Sequence, residues 1–431
     1  METKIPRRRW FQVLPLVFTV YALAAVDRNN IGFGFSGMER DLGIGPAYAG
    51  LAAGVFFIGY LFLQIPSGIF AERWSAKKVI AIAITVWSIF ATLMAFVQTP
   101  TQLLIIRFFL GFAEGSVLPP IVLLLKRWFP QHERARANAF WMISIPFALM
   151  VMAPICGWLL TISDWRTMFL IEGLVPLLWV VVFWFGIEDS PSKAKWLSAA
   201  ERDYIENALA QEKKAIGTQP ARLRDVLTNR NVLLLVVIWF CTQIGFSGYT
   251  AWLPTVLKEF TGRSNLVIGF LAGLPWLVAL AAMPLNAAHS DRVGERRLHV
   301  AVPMAMVGIF FFLSVLAGSG HPVVAIACLI VCGASSMSFN GVWWAIPTIF
   351  LTDELLAVAI GLINAIGNLG GFFGPFVLGF LRSTTGSFLQ SSLFLALACV
   401  LGSFLMLMLR YARAPASFGR AVAVEPSAAE G

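Results

Sequence analysis

Four ionisable residues, Asp27, Arg28, Arg107 and Glu114, stand inside apolar runs long enough to cross a lipid bilayer. A charge at the middle of a membrane costs about 3 kcal/mol or more, so it persists only beside a partner or a cavity. The arginines offer a rigid planar fork of donors that fits a carboxylate. The acids offer the complementary chemistry. Burial favours the neutral carboxyl and a neighbouring arginine the charged one, so an anion arriving at an arginine alters the proton affinity of a nearby acid. Arg28 and Arg107 are therefore expected to hold an organic anion, and Asp27 and Glu114 to carry protons. Seven residues are about two helical turns, which sets Arg107 and Glu114 on one face roughly 10 Å apart. Counting helical rise places Asp27, Arg28 and Arg107 at similar depth, with Glu114 beneath them near the midplane. The alternative for Asp27 with Arg28, and for Arg107 with Glu114, is a static salt bridge.

Weaker polar candidates accompany them. Tyr60 and Gln64 are one turn apart, as are Asn364 and Asn368, and each pair can line a cavity with hydrogen-bonding groups. Tyr21, Trp343 and Trp344 are candidates for its apolar wall, although aromatic residues in membrane helices are more often core or interface anchors.

The elements that must position these residues are membrane helices. The chain of 431 residues is 58% hydrophobic and only 13% charged, with a mean hydropathy of +0.78, which excludes a water-soluble domain. Apolar runs predict twelve helices near 11–37, 47–71, 78–97, 102–126, 137–161, 167–187, 231–257, 266–290, 298–317, 323–350, 356–381 and 388–410. Thr99-Pro100-Thr101 and Gly318-Ser319-Gly320-His321-Pro322 supply the turns that divide helix 3 from 4 and helix 9 from 10.

The net charge of +9 is a matter of topology. With the N-terminus inside, 25 of the 32 Lys and Arg fall in cytoplasmic segments, so a multi-pass inner-membrane protein with both termini cytoplasmic is expected, and no nucleic-acid partner. Arg7 to Arg9, the following apolar run and Ala22-Leu23-Ala24 also fit a signal peptide, but cleavage there would remove helix 1. Five cysteines fall in apolar segments at no metal-binding spacing and read as small core residues. The four histidines form no HExxH or paired-carboxylate site, which argues against an enzyme, and no cofactor or metal is expected.

An acid-Arg pair after helix 2 (Glu72-Arg73, preceded by Gly68) recurs 219 residues later after helix 8 (Asp291-Arg292). The chain therefore reads as a duplicated six-helix unit. An N-terminal bundle over 1–187 and a C-terminal bundle over 231–411 flank a polar linker, 188–230, and a disordered tail is expected over 412–431. Ser198-Ala199-Ala200-Glu201, a capping-box pattern ahead of Tyr204, Ile205 and Leu209, predicts a short amphipathic helix in the linker.

On these motifs the chain resembles the major facilitator superfamily, whose Gly-x-x-x-Asp-Arg-x-Gly-Arg-Lys/Arg-Lys/Arg motif follows helices 2 and 8. The first copy has Glu72 for the acid, Ser75 for the glycine and Ala76 for the first basic residue. Within the superfamily it is similar to the anion:cation symporters, a group of tartrate, galactonate, hydroxyphenylacetate and phthalate permeases. The carriers are Asp27-Arg28-Asn29-Asn30-Ile31-Gly32-Phe33, Trp128-Phe129-Pro130, Asp164-Trp165-Arg166 with Phe169-Leu170-Ile171-Glu172-Gly173, Trp252-Leu253-Pro254 and Gly367-Asn368-Leu369-Gly370-Gly371. The resemblance implies that Gly68, Glu72, Arg73, Asp291 and Arg292 latch the two halves at the cytoplasmic side. It also implies that the helix 1 and helix 4 arginines bind the substrate carboxylate and that the neighbouring acids are protonated. Glu172 reads as structural.

The expectation is a monomeric, proton-driven importer of an organic anion working by alternating access, with sodium as the other candidate driving ion. Ile143-Ser144-Ile145-Pro146 replaces a helix 5 glutamine found in several similar members, and Ser247-Gly248 replaces a common Tyr-Gly. A rather apolar carboxylate is thus as good a candidate as a sugar acid. The rival is a proton-driven exporter of drugs or metabolites. Its usual Gly-x3-Gly-Pro-x2-Gly-Gly is reduced in helix 5 to Pro154 and Gly157. A solute sensor or membrane-embedded enzyme is a more distant alternative.

Overall fold

A computed structural model describes residues 7–215, 227–351 and 353–409; the tail expected over 412–431 and part of the linker lie outside them. Among the described residues, eleven apolar helical elements are long enough to cross a membrane. One of them, Pro46–Phe96, runs for 51 residues, or roughly 77 Å at helical rise, too long for a single crossing. It divides at Ser75, whose extended backbone ends helix 2 (Pro46–Phe70) and a π-helical turn (Ala71–Ser75) and starts helix 3 (Ala76–Leu93). Twelve crossings result. Ser75 replaces the motif's glycine without strain because its φ is −170°, and its hydroxyl caps helix 3 by accepting from the Lys78 amide.

The expected breaks are where turn chemistry places them. Thr99 and Gln102 form a full capping box with Pro100 at the first position of helix 4, and Pro322 starts helix 10 after the 3-10 turn Gly318–Gly320. Helix 1 at Asn30, helix 5 at Ile143 and helix 10 after Ser338 are interrupted although expected to be continuous, and so are helices 4 and 11. Helix 4 divides into Pro100–Glu114 and Leu118–Trp128, since Pro119 and Pro120 cannot donate back to the preceding turn. Helix 11 divides into Asp353–Gly367 and Gly370–Thr385.

The halves meet through helix 1 against 7, helix 2 against 11 and helix 5 against 8. Backbone meets backbone there. A methyl group on Gly32 would overlap the Ala251 carbonyl, one on Gly50 the Pro375 carbonyl, and one on Gly157 would lie 2.5 Å from the Asn265 carbonyl oxygen and 2.9 Å from the Gly269 Cα. All three contacts lie toward the end of the bundle opposite the linker, where the Asn265 amide also donates to the Leu160 carbonyl at 3.0 Å.

The linker helix (Ala199–Ala215) docks on the first half. Glu201 is fully buried and holds the Arg9 guanidinium at 2.7 Å while accepting the Arg8 and Arg9 amides at 3.2 Å, so it caps helix 1. Glu133 takes the other side of Arg9 at 2.6 Å. The predicted capping box is therefore half made: Ser198 accepts from the Glu201 amide, but the Glu201 side chain turns to helix 1. Tyr204, beside Glu133, has its phenol pushed up in pKa by burial and by that carboxylate.

Candidate functional site

The buried charges form two adjoining compartments, divided by the directions of the helix 1 side chains and bridged by helix 4, where Arg107 and Glu114 lie on one face and act on each other electrostatically. Successive residues on helix 1 point about 100° apart, so Asp27 and Arg28 cannot share a direction. Arg28 faces the seam between the halves and Asp27 faces the interior of the first bundle.

In the first compartment Arg28 binds Glu114 of helix 4. Its Nε donates to Glu114 Oε1 at 3.0 Å and its Nη2 donates to the same oxygen. Glu114 is fully buried, Arg28 is 18% exposed, and the second Glu114 oxygen has no partner. The guanidinium lies over the Tyr60 ring at 4.9 Å, with buried Tyr21 alongside. Gly111 and Gly115 set this geometry, because each lies against the helix 2 backbone, at Phe56 and Tyr60, with no room for a side chain. Arg28 lines a cavity of about 10 Å³, at the limit of one water, with Phe57 of its own half and Ser247, Thr250 and Pro375 of the other.

A chain of amides faces this compartment across the seam. Gln243 Nε2 donates to Asn368 Oδ1 at 3.0 Å, Asn368 Nδ2 to Asn364 Oδ1 at 3.2 Å, and Asn364 Nδ2 to Gln64 Oε1 at 3.2 Å. The last bond joins the two halves. Gln243 escaped the sequence reading; its signal is an isolated amide in the apolar run of helix 7, one turn before Ser247.

The second compartment holds Asp27, Arg107 and Glu172. Arg107, fully buried, donates from Nε to the Ala52 carbonyl at 3.2 Å and from Nη1 to the Asp27 carbonyl at 3.3 Å. It braces helix 1 against helix 2 by their backbones. Among the described residues both buried carboxyl oxygens of Asp27 lack a full hydrogen bond, the Trp87 indole of helix 3 being the donor that faces them. The Phe56 ring lies 5.7 Å from the Arg28 guanidinium carbon and 5.0 Å from that of Arg107, and so receives a cation–π contact from each compartment.

Several expectations are corrected. Neither salt bridge weighed from the sequence forms: Asp27 does not pair with Arg28, nor Arg107 with Glu114, and the ion pair crosses between them as Arg28 with Glu114. The single layered cluster becomes two adjoining groups that helix 4 bridges. Trp343 is fully buried and stacks on Trp239 at 5.2 Å, which makes it core packing rather than cavity wall. The latch is not engaged either. Glu72, Arg73, Asp291 and Arg292 are exposed, and among the described residues none of them bonds across the halves. The nearby Asp189 instead accepts from Ser75 Oγ and the Lys77 amide within the first half, while Gly68 lets helix 2 approach Pro119.

The sequence and fold place these features among known proteins. The family model described as Major Facilitator Superfamily matches residues 17–375. A protein of Agrobacterium vitis named "Putative tartrate transporter" is 36% identical over 433 residues, covering 99% of each chain. An Acinetobacter baumannii protein named "Quinolone resistance transporter" is 31% identical over 94% of each chain. The crystal structure of a bacterial homolog of the human lysosomal transporter Spinster, in an inward-facing and occupied conformation, shares the fold with a TM-score of 0.74. It is 14% identical, covering 94% of this chain and 97% of its own.

Proposed function

Because the chain belongs to the Major Facilitator Superfamily, we propose that this transporter carries an organic anion inward together with protons, by alternating access of its two halves. The observation that supports this most is the pairing of Arg28 with Glu114. Arg28 is the one cation of the buried set that reaches the seam, and its partner is an acid with no other ligand. A substrate carboxylate that takes the Arg28 fork displaces Glu114, and a buried carboxylate that loses its ion-pair partner takes up a proton more readily. Substrate binding and proton uptake are then one event.

The amides of Asn364, Asn368 and Gln243 stand on the opposite half and suit hydroxyl or carbonyl groups at the far end of a small anion. An anion that touches both Arg28 and these amides draws the halves together. Tartrate-like hydroxy acids fit this division, and the relative named for tartrate supports the class. The positive residues assign the linker end to the cytoplasm, so closure at the opposite end corresponds to an inward-facing state. Export is the second reading, favoured by the relative named for quinolone resistance.

Uptake of tartrate and a panel of other carboxylates into proteoliposomes under an imposed pH gradient tests the proposal. Uptake should follow the inward proton gradient and stop when it is collapsed. Accumulation that ignores the gradient removes proton coupling, and outward-driven quinolone transport without carboxylate uptake selects the exporter.

A further inference from the structure

Glu172 of helix 6 is a buried acid that the scheme above does not use. It is 8% exposed, and both of its oxygens accept from neutral groups: Oε2 from the Asn30 amide at 2.7 Å and Oε1 from the Cys156 thiol at 2.9 Å. Among the described residues no Lys, Arg or His pairs with it. The charged groups facing this interior are few. Helix 1 contributes the Asp27 carboxyl, which interacts electrostatically with Glu172, and helix 4 contributes Arg107, which is held by the Ala52 and Asp27 carbonyls. Helix 3 faces the adjacent Gly173 with Thr92, and helix 5 contributes only Cys156. Two carboxyls thus share an interior with the cation Arg107, which bonds backbone carbonyls and acts on Asp27 through its charge.

The two donors to Glu172 belong to the two first-half helices that seal the end opposite the linker. Asn30 lies two residues from Gly32, which packs on the Ala251 backbone of helix 7, and Cys156 adjoins Gly157, which packs on Gly269 of helix 8. Two positions are about 200° of helical turn, so Asn30 meets Glu172 on the side of helix 1 turned away from Gly32 and the seam. An ionised carboxylate left in this interior, with neutral donors only and a second carboxyl beside it, is strongly disfavoured.

We propose that Glu172 is a proton-binding site of the first bundle: its carboxyl carries a proton in the closed arrangement seen here, held between the Asn30 amide and the Cys156 thiol beside the Asp27 carboxyl. This deepens the proton-coupled reading, on which its place in the transport cycle rests, and adds a carboxyl separate from the Arg28–Glu114 pair. The proton comes from water and resides on a Glu172 oxygen, with no bond broken in the protein. When Glu172 is ionised, the Cys156 thiol donates to a charged acceptor; when it is neutral, to a weaker one.

Infrared difference spectroscopy on the full-length protein in lipid, titrated across acid to mildly alkaline pH, reads this directly. The Cys156 S–H stretch, identified by its loss in Cys156→Ala, should shift with pH together with a protonated-carboxyl band that Glu172→Gln abolishes. In Glu172→Gln the S–H band should stay fixed. Glu172→Asp should restore a pH-dependent band. A wild-type S–H band that does not move, or that moves equally in Glu172→Gln, overturns the proposal. Should the band titrate while wild-type uptake ignores the pH gradient, the proton-coupled reading fails and the proton site stands.

Discussion

Replacing Glu114 by glutamine isolates the competition at Arg28. The glutamine carbonyl can still accept from the Arg28 Nε, now 3.0 Å from Glu114 Oε1, so the fold is retained while the negative charge is lost. In the wild type an incoming carboxylate must displace a charge-assisted bond worth about 1.5–3 kcal/mol. Removing that competitor should tighten substrate binding by about ten- to a hundredfold, at about 1.4 kcal/mol per factor of ten. The sign with pH follows. Wild-type affinity should rise as pH falls, because protonating Glu114 releases Arg28, whereas the variant should bind equally well throughout. Calorimetric titration of the purified protein at several pH values measures both quantities. Uphill accumulation driven by a pH gradient should fail even though binding improves. Weaker binding in Glu114→Gln, or an unchanged pH dependence, would refute the idea that acid and substrate contend for one guanidinium.

Arg107→Lys should lower substrate affinity about tenfold and thermal stability along with it, since one ammonium cannot reach both the Ala52 and Asp27 carbonyls. A loss of affinity with stability unchanged would instead put Arg107 on the substrate. Gly157→Val should block closure opposite the linker, because its Cβ would meet the Asn265 carbonyl oxygen at 2.5 Å. Substrate binding from that side should persist while transport is lost, and normal uptake would disprove the role of the seam. Asp164, which caps helix 6 through the Thr167 amide at 2.8 Å, has its carboxyl held below the usual range by that bond. Asp164→Ala should cost about 1 kcal/mol of stability at neutral pH. The depressed carboxyl contributes above its unfolded value of about 3.9 and loses that contribution as pH falls through the folded value, so the deficit in fluorescence-monitored melting should shrink in acid.

Much of the frame is legible in sequence because membrane helices announce themselves by length and apolarity, and their turns by proline and glycine. Thr99-Pro100 and Gly318 to Pro322 break the chain where their chemistry says they must. The charges were legible as residues but not as partners. Axial counting gives depth and leaves rotation about each axis open, and that rotation separates Asp27 from Arg28 and carries Arg28 to Glu114. Gln243 and the acid-specific role of Glu172 were hidden for another reason. Their significance comes from neighbours on other helices, Asn368 in one case and Asn30 with Cys156 in the other, and no local pattern encodes those.

The glycine seam bears on how such a protein can diversify. Where Gly32 meets Ala251, Gly50 meets Pro375 and Gly157 meets Gly269, closure depends on main-chain atoms and on the absence of side chains. The groups that would choose a cargo, Arg28, Gln243, Asn364 and Asn368, occupy other positions on these helices or on helix 11. Closing contacts therefore draw on main-chain atoms and selection on side chains, even where the two neighbour each other, as at Pro375. New cargo preferences can be tried by substitution at the amides while the closing surface keeps its shape, so selectivity in this scaffold is free to drift without retuning the machinery that drives transport.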